Sequence, residues 1–96
     1  MAEVVFLAHC YEQNKHDKIW GYVKDGPAGA LTFWGRRGGT LSFKRYTWER
    51  DAQVQSWDKC KRNYRKILDP QDHCRYLPDD FEAQLMLARL GQIKFA

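Results

Sequence analysis

A chain of 96 residues, 44% hydrophobic and 15% aromatic, can enclose one core but not two, and its composition is not that of a disordered or low-complexity segment. Sixteen Lys and Arg against twelve Asp and Glu give +4 and a pI near 9.1, a modest excess that suits a polyanionic partner without requiring one. No apolar run is long enough to span a membrane, and three cysteines without CxxC spacing (Cys10, Cys60, Cys74) argue against a disulfide framework and fit a reducing compartment.

Val4 to Ala8 is rich in strand-forming residues and runs into a polar break at 12–17. Lys18 to Lys24 then alternates, with Trp20 and Tyr22 on one face and Ile19, Gly21 and Val23 on the other. Asp25-Gly26-Pro27-Ala28-Gly29 is a turn by composition. Ala30 to Arg36 reads as a third strand: Leu31, Phe33 and Gly35 oppose Thr32, Trp34 and Arg36. Gly38-Gly39 permits a tight reversal, and Leu41, Phe43 and Arg45 alternate with Ser42, Lys44 and Tyr46 in a fourth strand. Short strands joined by brief turns predict an antiparallel sheet.

After Thr47 the period lengthens. Val54, Trp57, Cys60 (or Lys61), Tyr64 and Ile67 recur at helical spacing, with Thr47 or Asp51 as cap and Pro70 as stop. The segment from Asp69 to Pro78 reads as an irregular connector. A second helix is expected from Asp79, whose apolar residues are Phe81, Leu85, Met86, Ala88, Leu90 and Ile93, with Gly91 as its C-terminal stop. The predicted fold is one α+β domain spanning 1–96: a twisted antiparallel sheet of about four strands with one packed helix (core 4–67) and an extra C-terminal helix at 79–91.

Charge is unevenly placed along this frame. Ten Lys and Arg fall between Arg36 and Lys66, against Glu49, Asp51 and Asp58. A confined positive field suits nucleic acid; a solvated helix face beside a strand accounts for it equally well. On the third strand, Trp34 and Arg36 lie two apart and share a face. Gly35 between them leaves the opposite face open, and Arg37 lies at the turn. Stacking on an aromatic stabilises a bound base by ~1–3 kcal/mol, and guanidinium groups grip phosphate bidentately. Lys44 and Tyr46 on the next strand extend the face, and Arg62 and Arg65, with Lys59 and Lys66, flank it as a phosphate track. Packing alone would instead put Trp34 in the core and Arg36 in an ion pair.

Trp34-Gly35-Arg36, in order with Asn14-Lys15, Ile19-Trp20, Gly38, Lys44, Tyr46, Trp57 and Tyr64, resembles the WGR family over about residues 4–67. Arg37 stands where that family more often has an aliphatic residue, the glycine turn is shorter, and the second helix lies outside the pattern. In DNA-damage-responsive poly(ADP-ribose) polymerases such domains bind DNA near a strand break and signal to neighbouring domains. The resemblance implies a non-catalytic module in which Trp34 packs on an exposed sugar or base and Arg36 contacts the backbone or a partner domain. DNA is the expected ligand, with RNA second, and a protein partner gripped by the same face is the alternative. The expected location is the cytoplasm, or the nucleus in a eukaryote.

Other groupings point to structure. His9-Cys10 and His73-Cys74, with Cys60, contain ligand types, but strand neighbours face opposite ways and would not converge on one ion, so no metal or other cofactor is expected. Asp79, Asp80 and Glu82 read as a helix start and not as acid–base catalysts. Trp20, Trp48 and Trp57 are expected in the core.

Overall fold

In the computed structural model, which describes residues 4–91, five antiparallel strands form one sheet in the order β4-β3-β2-β1-β5. β1 (Val4–Glu12) and β2 (His16–Asp25) form a hairpin whose turn places Asn14 at φ +64, a left-handed conformation that asparagine tolerates. β3 (Gly29–Arg36) follows through the Gly26-Pro27-Ala28 turn, and β4 (Ser42–Tyr46) through the glycine loop. β5 is only Arg65–Lys66, paired with His9 and Ala8, and adds an edge strand to the four expected from the sequence. The bulge between Val4 and Phe6 interrupts an otherwise continuous β1–β2 register.

Period-2 alternation gives the sheet two different sides, each covered by a helix. On one side Leu7, Ile19, Val23, Leu31, Phe33, Leu41 and Phe43 form the larger core. The C-terminal helix α2 (Phe81–Arg89) closes it with Phe81, Leu85 and Ala88, and Phe81 meets Phe33 edge-on at 5.0 Å. Buried Gln84 ties this helix to the glycine loop: its Oε1 accepts from the Leu41 N–H at 2.8 Å and its Nε2 donates to Gly39 O at 3.3 Å. The helix read from the sequence as an extension is therefore an integral layer. Its exposed side carries Met86 and Leu90; Gly91, at φ +75, follows its end, and Ile93 lies outside the described residues.

The other side is smaller and aromatic. Trp20, Tyr22 and Ala30 pack against Ala52 of α1 (Glu49–Lys61), with Phe6, Trp34, Tyr46 and Tyr64 half-buried around them. Here the helical stripe read from the sequence is wrong. Val54 and Trp57 are 52% and 64% exposed, and the buried residues of α1 are Ala52 and Ser56. Bulk on this side comes from the sheet, so the helix presents small residues and approaches closely; its large apolar groups point away. Trp48, also expected inside, is the N-cap and 54% exposed. α1 makes no side-chain cap bond; it is moored by Tyr22, whose hydroxyl donates to Glu49 at 3.3 Å, and by the Lys24–Glu49 pair at 3.7 Å. It ends at Lys61 because Asn63 takes φ +71, which leaves Tyr64 and Ile67 outside the helix.

The segment expected to be an irregular connector contains a 3-10 helix, Pro70–Arg75, capped by the Asp69 carboxylate, which accepts from the Gln71 N–H at 2.9 Å. The second helix is capped at Asp80, one residue later than expected, and the Asp80 carboxylate accepts from Gln84 Nε2 at 2.9 Å. Among the described residues no helix is long and apolar enough to cross a membrane.

Candidate nucleic-acid interface

The expected site residues fall into three places. Trp34, Lys44 and Tyr46 come together. The β3–β4 register pairs Trp34 with Ser42, Thr32 with Lys44 and Ala30 with Tyr46, so all three side chains lie on the α1 side of the sheet. With Trp20 as floor and Gln55 and Lys59 of α1 as the far wall, they line a cleft of about 290 Å³. Trp34 is half-buried, packed against the small aromatic core with its remaining surface in the cleft. It is therefore both a packing residue and a lining residue, and the choice between core and surface posed by the sequence does not divide cleanly.

Arg62 opens onto a second, larger hollow of about 600 Å³ beyond the end of α1, shared with Lys18, Tyr64, Cys10 and Cys60. Arg62 is also paired with Asp58 at 3.4 Å. Arg65 lines this groove too. Its β-partner is His9, and it borders a recess on the other side as well, so it sits at the sheet edge between the two faces.

Arg36 and Arg37 lie outside both hollows. Arg36 shares Trp34's face but opens onto a recess at the tip of the β1–β2 hairpin with Glu12, Lys15 and Asp17. Arg37 is held on the opposite side, where its Nε and Nη2 donate to Asp17 Oδ2 at 3.1 and 3.0 Å. His9 Nε2 reaches Asp17 Oδ1 at 2.6 Å, and the Arg37 N–H donates to Asp17 O at 3.0 Å. The His9 hydrogen bond and then the Arg37 hydrogen bond hold the Asp17 carboxyl below the usual carboxylate range, against the opposing effect of burial. This cluster fastens the glycine loop to the sheet. Nor does Gly35 leave its opposite face open: a Cβ there would meet Thr40 O at 3.1 Å and Leu41 Cδ2 at 3.3 Å.

The cleft and the groove meet at Tyr64, which the sequence reading assigned to a helix stripe. Lys59 lines the cleft and its Nζ lies 5.5 Å from the Tyr64 ring centroid; Lys18 lines the groove and lies 5.8 Å from the same ring. Burial pushes the Tyr64 phenol up from its ordinary value, so the ring is neutral at physiological pH. Lys44 lies 5.1 Å from Tyr46, and Lys66 lies 5.7 Å from Phe6. These four lysines rest on aromatic rings, and none has a carboxylate partner among the described residues. On the α2 side, by contrast, Arg37 is paired with Asp17 and Arg45 with Asp25 at 2.7 Å. Lys18 and Tyr64 were missed as site residues. Lys18 was legible, since it lies two residues from Trp20 on the same strand and must share its face. Tyr64 was not, because its place depends on where α1 stops.

The architecture defines the class: an α+β domain with a helix on each side of one antiparallel sheet. No family model matches this chain, and no curated protein or solved structure matches it either. The resemblance to WGR domains thus stands on the motif and its ordered context alone.

Proposed function

We propose that this chain is a non-catalytic, WGR-like nucleic-acid-binding domain that takes DNA, or RNA, on the α1 side of its sheet. One observation carries the reading: four lysines on that side, Lys18, Lys44, Lys59 and Lys66, are packed on aromatic rings without a carboxylate partner among the described residues, although Lys24 and Arg62 there are paired with Glu49 and Asp58, whereas on the other side Arg37 and Arg45 are neutralised by Asp17 and Asp25. A lysine held on a ring keeps its charge and loses side-chain freedom, which favours grip on a phosphate. Half-buried Trp34 and Tyr46 offer faces on which a base or sugar can rest. The reading includes contact with backbone and strand ends, and excludes base reading by a major-groove helix. Three free cysteines fit a reducing compartment, so we place the protein in the cytoplasm, or in the nucleus of a eukaryote.

A titration by fluorescence anisotropy against nicked, blunt and single-stranded oligonucleotides tests this. Binding to at least one of them is expected, weakening by about tenfold or more between about 50 and 200 mM salt as counterions are released. No binding to any of them at low salt contradicts the proposal.

A protein partner is the second reading, and the outer side of α1 favours it: Val54 and Trp57 stand three residues apart and expose 52% and 64% of their surface. It predicts that Trp57→Ala leaves nucleic-acid affinity unchanged.

A further inference from the structure

The cleft and the groove restrict what form of nucleic acid can use this face. The cleft lies between a helix and a sheet: Trp34 and Tyr46 rise from the strands, Trp20 closes the floor, and Gln55 and Lys59 stand opposite on α1. A base can present its flat side to Trp34 or Tyr46 only if it enters this recess. Inside a duplex the flat sides are covered by neighbouring pairs, and exposing an internal base requires extrusion at a cost of a few kcal/mol; only a terminal pair shows one face. An unpaired strand has its faces free.

The route out of the cleft also suits a single strand. Lys59 leads from the cleft to the Tyr64 ring, Lys18 lies near the same ring, and both Lys18 and Tyr64 line the groove that contains Arg62. This path runs across β4, β3, β2 and β1, which at ~4.8 Å per strand is about 15 Å. Rings and cations alternate along it: Tyr46 with Lys44, Trp34, Lys59 with Tyr64, then Lys18. A flexible backbone with exposed bases can satisfy such an alternation, since every base has a face to stack and every linkage a charge to neutralise.

Resting on the proposed nucleic-acid function, we infer that the ligand of this face is an unpaired strand, with a nucleobase seated in the Trp34–Tyr46 cleft and its phosphates led past Tyr64 into the Lys18–Arg62 groove. The path seats a short strand, no more than the roughly four nucleotides at the low end for small single-strand binding folds. Stacking and phosphate neutralisation, which make up most of the path, accept any base, so sequence preference is weak.

Anisotropy titrations of the whole chain with labelled oligo-dT and oligo-U of about 12 nucleotides, and with a blunt mixed-sequence duplex of the same length, test the inference at low salt. One or both single strands are expected to bind at least about tenfold more tightly than the duplex, and comparison of the two identifies the sugar preferred. Lys59→Gln and Tyr46→Ala are each expected to weaken single-strand binding by about fivefold or more and to narrow the gap to the duplex. Circular dichroism checks that both variants fold, and Lys59→Gln, a helix-surface change, is the safer of the two. Equal or tighter binding of the duplex overturns the single-strand inference and leaves the nucleic-acid proposal standing. Failure of all three ligands to bind overturns both. Preferential single-strand binding that survives Lys59→Gln and Tyr46→Ala in folded protein overturns the assignment to this cleft.

Discussion

Gly35 has a role set by geometry. Its φ of +152 is one that side-chain-bearing residues rarely adopt, and a Cβ would press on Thr40 O and Leu41. Gly35→Ala should therefore destabilise the fold by about 1–3 kcal/mol, measurable as a lower urea midpoint with unchanged slope. A midpoint equal to wild type would show that the loop yields. Asp17 acts at the same scale. Its folded pKa lies below the ordinary value of 3.8, so its stabilisation is fully present above that value and is lost as pH falls through the folded pKa. Asp17→Asn should lower the melting temperature at pH 7, by the equivalent of about 1 kcal/mol or less because the side chain is partly exposed, and the difference from wild type should shrink progressively as pH falls below 3.8. A deficit that stays constant with pH would assign the loss to packing.

At the scale of elements, α1 separates pattern from packing. Its sequence has an apolar stripe, yet the sheet beneath it is already filled by Trp20 and Tyr22, so the helix is seated by Ala52 and Ser56. Ala52→Leu should overpack this seam and destabilise by about 1–3 kcal/mol, whereas Trp57→Ala should change stability by no more than about 0.5 kcal/mol; thermal melts of both compare them directly. Equal losses would mean that Trp57 packs after all. The strands were legible because alternation fixes which residues share a face, and with it the grouping of Trp34, Lys44 and Tyr46. The helix face was not, because spacing identifies an apolar stripe without identifying which surface of the sheet remains to be covered. The same gap hid Tyr64: its place depends on Asn63 ending the helix in a left-handed turn, which outweighs the spacing of the apolar residues.

For the whole molecule, the two helices divide the labour. α2 seals the larger core and, through Gln84, locks the glycine loop; α1 covers less and leaves a cleft along its flank. Charge partly follows the same division, with Arg37 and Arg45 neutralised on the α2 side and Lys18, Lys44 and Lys59 left on rings on the α1 side, where Lys24 and Arg62 keep carboxylate partners. Composition announced a basic protein, and the excess between residues 36 and 66 was visible, but its partition between two faces was not. That partition depends on which cations find a carboxylate: Asp17 lies twenty residues from Arg37, and Asp25 twenty from Arg45.

The central claim is that one side of the sheet binds nucleic acid. The most direct measurement is a heteronuclear NMR titration of the isotope-labelled chain with oligo-dT of about 12 nucleotides at low salt. The predicted result is a set of shifts concentrated on the Trp34 indole, Lys44, Tyr46, Lys59, Tyr64 and Lys18, with Arg37, Arg45 and α2 unaffected. Shifts confined to α2 and the Asp17–Arg37 loop, or no shifts at all, would contradict it.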